Sequence, residues 1–395
     1  MDSVVLKEGI NWVGAIDWNL DNFHGYLTQR GSSYNAYLIQ DQKTVLIDTV
    51  KANLFDEFWT RVKELVDPSK IDIVVSNHVE MDHSGSLPKV MEKIPHAKII
   101  TSPHGEKGLK RHFKKDYDFQ VVKTGDSINL GTRTLKFFGT PMVHWPDNMV
   151  TYCTEEKILF SNDAFGQHVA STERFDDQMC WDILREEAGK YYANIVMPYS
   201  DQVQTALGAL GGLDINLIAP SHGVMWRGMI PKILSEYQKW STNTTEPSKA
   251  LIIYDTMWGS TEKMAMELRD GLLQTGAKVT VRSLKHRHIS DIISDVLTSK
   301  MVILGCPTLN NGLLPSMGGF LTYIKGLRPK NRIGYAFGSY GWGGQSVGEM
   351  EEVMKGLGWD MPIAGTKLKF IPDDKELVDM KDVGLKLGEH LKLKK

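Results

Sequence analysis

The hexapeptide His78-Val79-Glu80-Met81-Asp82-His83 decides how this chain is read. It follows an apolar, β-branched run, Ile71–Ser76, that predicts a strand. Four side chains able to ligate a metal fall within six residues, on a loop where they need not point one way. A lone histidine in such a loop is more often a satisfied structural residue. Four ligand types at one strand end are poorly explained by a solvated turn. The further candidates also follow predicted strands: His144 in Pro141-Met142-Val143-His144-Trp145-Pro146, Asp163 in Ser161-Asn162-Asp163-Ala164-Phe165, and His222 in Pro220-Ser221-His222-Gly223. If these strand ends converge, four His, one Glu and two Asp meet. Seven ligands exceed what one ion needs. One carboxylate shared between two ions gives each four protein contacts and leaves positions open for substrate, which is a two-metal site.

This pattern resembles the metallo-β-lactamase superfamily, whose usual motif is HxHxDH. Here Glu80 replaces the second histidine. Imidazole-rich sites suit zinc, whereas an added carboxylate shifts preference toward iron or manganese. With Glu80 and the His144/Asp163/His222 set, the sequence is similar to the flavodiiron proteins over nearly its whole length. The resemblance implies that His78, Glu80 and His144 bind one iron. It implies that Asp82, His83 and His222 bind the other, with Asp163 bridging. His24, in His24-Gly25-Tyr26, matches a family histidine near the open face of the metal pair. A proton-donating role for His24 and Tyr26 follows as an expectation. His168 is expected to make a supporting hydrogen bond rather than to ligate.

The polar run Ser241-Thr-Asn-Thr-Thr-Glu-Pro-Ser248 reads as a linker. It predicts a first domain over residues 1–247 and a second over 248–395. The first mixes hairpin strands with helices, which suggests helices covering the outer faces of two packed sheets. By resemblance this is an αββα metallo-β-lactamase-like sandwich. In the second half, apolar strands alternate with helices at Ala250–Tyr254, Lys278–Ser283, Met301–Gly305, Arg332–Phe337 and Lys367–Ile371. That alternation predicts a doubly wound parallel sheet.

Three loops of this second sheet carry ligand-binding character. Thr256-Met257-Trp258-Gly259-Ser260-Thr261 joins the first strand to a helix, and its hydroxyls and glycine suit an anion cradle. Neither GxxxxGK[ST] nor GxGxxG is present, which disfavours a nucleoside triphosphate and a dinucleotide. Pro307-Thr308-Leu309-Asn310-Asn311-Gly312 follows the third strand, and Ser339-Tyr340-Gly341-Trp342-Gly343 the fourth. In such sheets ligands bind beyond the strand C-termini, and Tyr340 and Trp342 can stack on a flat ring. The set looks like a flavodoxin FMN site, with strand order 2-1-3-4-5 expected by resemblance.

Composition narrows the partners. Three cysteines in 395 residues, with no CxxC, leave no disulfide framework, thiolate zinc site or built-in rubredoxin. A net charge of -2 supplies no field for nucleic acid. No segment has the length and apolarity of a membrane span or a signal peptide, so a soluble cytoplasmic protein is expected. Together, FMN and two Fe imply a flavodiiron reductase acting on O2, NO or both. The resemblance implies that the electrons come from an external donor, such as rubredoxin or a reduced deazaflavin. A head-to-tail homodimer, or a tetramer built from it, is expected, because metals and flavin lie in different domains. The alternative is a dizinc hydrolase fused to a flavodoxin-like domain.

Overall fold

The computed structural model describes residues 2–393. They form two compact units. The first runs to Tyr191 and resumes over Asp201–Gln238; the second takes Tyr192–Ser200 and the chain from Lys239 onward. The predicted linker is largely structured: helix Ile230–Ser241 enters it and strand Glu246–Tyr254 leaves it. The strand extends back from Ala250 because Glu246 pairs with Ser299.

In the first unit, a seven-stranded sheet faces a five-stranded one. The larger runs in the order Val4–Lys7, Ile10–Trp12, Tyr37–Ile39, Thr44–Ile47, Ile71–Val75, Lys98–Thr101, Phe119–Val121. Its pairing changes from antiparallel to parallel between Thr44–Ile47 and Ile71–Val75. The smaller runs Ser127–Asn129, Thr134–Gly139, Met149–Cys153, Ile158–Asn162, Leu217–Pro220, and only its last pair is parallel. Ile10, Tyr37, Ile47, Val75 and Ile100 of one sheet close on Leu135, Phe137, Cys153 and Phe160 of the other. The outer face of the larger sheet is covered by Phe58, Trp59 and Val62 of helix Phe55–Leu65, with Val90 and Leu109. Leu210, at the end of helix Ser200–Leu210, packs on Val150, Tyr152 and Leu159 of the smaller sheet. The expected αββα sandwich is therefore observed. The short N-terminal strands escape the sequence because Lys7 and Glu8 interrupt their apolar pattern.

The second unit has one parallel sheet. Its strands are ordered Lys278–Ser283, Glu246–Tyr254, Ser299–Gly305, Ile333–Tyr340, Thr366–Lys369, which is the expected 2-1-3-4-5. The segment Tyr192–Tyr199 joins this unit through Asn194, whose Nδ2 donates to the Ser290 carbonyl at 3.0 Å. Asn194 Oδ1 accepts from Tyr323 at 2.7 Å. Helices Ser260–Gln274, Ile289–Thr298, Pro315–Leu327, Ser346–Gly356 and Asp374–Leu393 flank the sheet.

The last of these lies against helix Ser260–Gln274 at glycines. A Cβ on Gly271 would fall 2.1 Å from the Lys381 carbonyl, and one on Gly384 2.5 Å from the Leu268 carbonyl. The contacted atoms are backbone and cannot yield. Gly384→Val is expected to cost about 3 kcal/mol in urea unfolding. Gly348→Ala, at an exposed helical site with open space around it, is expected to be neutral or slightly stabilising. Equal effects would contradict this packing.

Candidate metal centre and flavin cavity

The strand Ile71–Val75 delivers His78 into the cleft between the sheets' ends. Glu80 then precedes a short helix, Met81–Ser84, which turns Asp82 and His83 inward; both are buried. Asp163 follows strand Ile158–Asn162, and the reversal rests on Asn162 at φ 53°. His222 follows Leu217–Pro220, and His144 sits between strands Thr134–Gly139 and Met149–Cys153. All seven expected ligands thus meet at one place.

They meet as two groups sharing one carboxylate. Asp163 Oδ2 lies 3.6 Å from His78 Nε2 and 3.3 Å from His144 Nε2. Asp163 Oδ1 lies 3.0 Å from His83 Nε2 and 3.2 Å from His222 Nε2. Each histidine pair has its own second carboxylate. Glu80 Oε2 stands 3.4 Å from His78 and 3.3 Å from His144. Asp82 stands 3.3 Å from His83 and 3.3 Å from His222.

These distances suit metal ions. Donors bound at about 2.1 Å stand roughly 3.0–3.4 Å apart between right and tetrahedral angles. The buried atoms have no better partners. Both oxygens of Asp82 and of Asp163, both ring nitrogens of His83 and Nε2 of His78 lack a hydrogen bond. Burying so many unsatisfied polar atoms is costly unless an ion satisfies them. In the metal-free protein the group would hold protons instead. Burial opposes charge on the imidazoles, yet contact with Asp163 and Glu80 raises His144 to about 9. Contact with Asp163 and Asp82 likewise raises His222 to about 10. Burial alone would push Asp163 up, but the imidazoles around it hold it well below the usual carboxylate range.

The ligands are held from behind. Asp147 Oδ2 pairs with His78 Nδ1 at 2.9 Å and accepts from the Val79 amide at 2.8 Å. His222 Nδ1 donates to the Ser33 carbonyl at 2.9 Å. Each contact turns Nε2 toward the centre. Sequence reading missed Asp147, although a carboxylate three residues beyond His144 was a usable signal.

His24 reaches Glu80 Oε1 at 3.1 Å, with its side chain 73% exposed. Tyr26 is buried, its ring 5.3 Å from that of His168. His168 pairs with the Ser32 hydroxyl at 2.7 Å, as expected of a supporting residue. Burial and the nearby His222 keep it neutral. Phe23, His24, Lys51, Met81 and Trp145 line a cavity of about 480 Å³ that opens onto Glu80 and Asp82.

The second unit holds its own cavity of about 510 Å³ at the C-terminal edge of its sheet. Met257, Trp258 and Ser260 line it from the first loop, and Pro307, Thr308, Leu309, Asn310 and Asn311 from the second. Ser339, Tyr340, Gly341 and Trp342 line it from the third. Phe370 and Ile371 complete the rim; the sequence had placed them inside the fifth strand. Thr256, Gly259, Thr261, Gly312 and Gly343 are not among its lining residues and shape the loops instead. Thr256 Oγ1 accepts from the Gly259 amide at 3.0 Å. Thr261 and Ser339 hydroxyls pair at 2.9 Å, tying two loops together. Gly312 and Leu309 exchange backbone bonds, and Gly343 takes φ 83°. Gly259 sits at φ 89° before helix Ser260–Gln274, which has no side-chain cap. Its first amides remain available to an anion. An uncapped helix start beside an aromatic-rimmed slot suits a phosphorylated flat ring.

Comparison with known proteins agrees with this geometry. A family model described as "ODP family beta lactamase" matches residues 33–223, and one described as "Flavodoxin" matches residues 252–380. The nitric oxide reductase of Moorella thermoacetica is 42% identical, covering 98% of each chain. The rubredoxin oxygen:oxidoreductase structure from Desulfovibrio gigas superposes with a TM-score of 0.97 at 43% identity, covering 100% of this chain and 99% of that one. The flavodiiron protein structure from Giardia intestinalis also reaches 0.97, at 33% identity, covering 100% and 98%. With the ligand groups, the flavin cavity and full-length similarity all in one chain, the protein belongs to the flavodiiron protein family.

Proposed function

We propose that this chain accepts electrons from an external donor and uses FMN and a di-iron centre to reduce O2 to water, NO to N2O, or both. One observation carries the reading: two histidine–carboxylate groups share Asp163 in a chain that also holds a flavin-sized cavity. Two similar proteins are named for these two reactions. When bound, the flavin and the iron pair supply the electron capacity, four for O2 to two waters and two for a pair of NO to N2O.

The residues supply the rest. His78, Glu80 and His144 hold one ion, Asp82, His83 and His222 the other, and Asp163 stands between them. Three carboxylates in the set favour iron over zinc. His24, exposed yet bonded to Glu80, brings protons from solvent to the open face, and Tyr26 is the second proton donor of this reading. The three cysteines are free, which fits a reducing cytoplasm, and among the described residues no helix is long and apolar enough to cross a membrane. The donor is a separate electron carrier of the rubredoxin or reduced-deazaflavin class. A head-to-tail homodimer brings one subunit's flavin to its partner's metals. Trp258 and Trp342, 93% and 79% exposed, rim the flavin cavity and offer the apolar surface such a contact buries.

Three measurements test this. Anaerobically reduced, FMN- and iron-loaded protein, mixed with O2 or NO in stopped flow, is expected to reoxidise far faster than free FMN; reoxidation no faster than free FMN with either gas overturns the reductase reading. Mixing an Asp163→Asn variant with an FMN-free preparation of the wild-type chain lacking donor turnover is expected to restore activity by subunit exchange, if electrons cross between protomers. No restoration after confirmed exchange contradicts the dimer. Metal binding at pH 7 is expected to release protons, since His144 and His222 hold theirs up to about 9 and about 10. Apparent affinity therefore rises with pH toward that range. Calorimetry in buffers of different ionisation enthalpy checks this, and binding without proton release contradicts it.

A further inference from the structure

The two halves of the metal centre are anchored by different chemistry. A charged residue, Asp147, holds His78. His222 instead sits on a loop fixed by neutral amides. We infer that Asn35 is the positioning residue of the Asp82/His83/His222 half, setting the loop Pro220–Gly223 and with it the direction of His222 Nε2.

Asn35 is 1% exposed and uses every hydrogen-bonding site of its amide. Its Nδ2 donates to the Pro220 carbonyl at 2.8 Å and the Gly223 carbonyl at 3.0 Å. Its Oδ1 accepts from Trp12 Nε1 at 2.8 Å and from Ser33 Oγ at 3.0 Å. Its backbone amide donates to the Ser221 carbonyl at 2.8 Å. The bonds thus bracket His222 on both sides. Ser33 closes the circuit, because its carbonyl receives His222 Nδ1 and its hydroxyl accepts from the Gly223 amide at 2.8 Å.

The anchor itself cannot drift. Two guanidinium groups stand over the Trp12 ring, Arg61 at 5.0 Å and Arg174 at 5.1 Å. On the loop's other flank, Gln167 bonds the Val224 amide at 2.6 Å and the Val224 carbonyl at 3.0 Å. Gly223 must be glycine here: at φ 75°, a Cβ would fall 1.6 Å from Gln167 Oε1. A loop gripped by two buried amides has one available position, and His222 inherits it. Aspartate at position 35 would keep the shape but lose both donors, placing a carboxylate oxygen against two carbonyls.

This inference rests on the reading that Asp82, His83 and His222 hold an ion. The test uses iron-loaded holoenzyme with FMN bound, exposed to a chelator for fixed times. Iron per protomer is counted and Mössbauer spectra report coupling between the irons. Wild type is expected to retain two coupled irons. Asn35→Asp is expected to release one iron about 10- to 100-fold more readily, leaving the other uncoupled. Ser33→Ala, which strips the partner from the Gly223 amide, is expected to show the same selective loss more weakly, and serves if Asn35→Asp does not fold. Asp147→Asn is expected to release the opposite iron, distinguishable by its spectrum. Irons retained as in wild type, or both lost in parallel, in the Asn35 and Ser33 variants overturn the inference. A wild type with no iron pair instead sinks the reading beneath it.

Discussion

A fully buried carboxylate whose two oxygens face four imidazoles is the constraint on which the first unit depends. Asp163 is 1% exposed, and its oxygens divide evenly between the His78/His144 and His83/His222 pairs. Such a cluster is unfavourable by itself, because its polar atoms have left water without gaining well-directed hydrogen bonds. The fold sustains it by gathering strand ends that are themselves fixed by two packed sheets. Metal ions convert the cost into binding free energy, and that free energy then stabilises the folded chain.

Both cofactor sites follow one architectural rule. Side chains with chemistry lie on loops beyond strand C-termini, while the strands bury apolar residues on both faces. In the first unit the loops carry buried His, Asp and Glu side chains, with Asp147 bonded to His78, Ser33 to His222 and Asn35 to the loop around His222. In the second they carry backbone amides and aromatic faces, with Thr256, Thr261 and the glycines shaping the turns.

The candidate metal cluster was legible because four of its seven residues are nearly contiguous and the rest directly follow apolar runs. The flavin loops were legible because Gly, Thr and aromatic residues cluster after predicted strands. Residues that act through shape were not. Asn35 lies in the short break between strands Ser32–Tyr34 and Tyr37–Ile39, where its neutral amide faces the His222 loop and carries no motif that marks it. Phe370 and Ile371 read as the end of a strand, yet Phe370 takes φ 59° and turns out to the cavity rim. The segment Tyr192–Ser200 carries no sequence mark of belonging to the second unit; its membership depends on hydrogen bonds of Asn194 to residues far ahead in the chain. Helix Asp374–Leu393 was hidden because two positions of its buried face, Gly384 and Gly388, are glycines that weaken the apolar pattern.

The central claim is that Asp163 stands between two metal ions. Anomalous diffraction from iron-loaded crystals, collected at the iron edge, tests it most directly. The account predicts two anomalous peaks, one on each side of the Asp163 carboxylate, the first among His78, Glu80 and His144 and the second among Asp82, His83 and His222. A single peak, or peaks remote from Asp163, would contradict it.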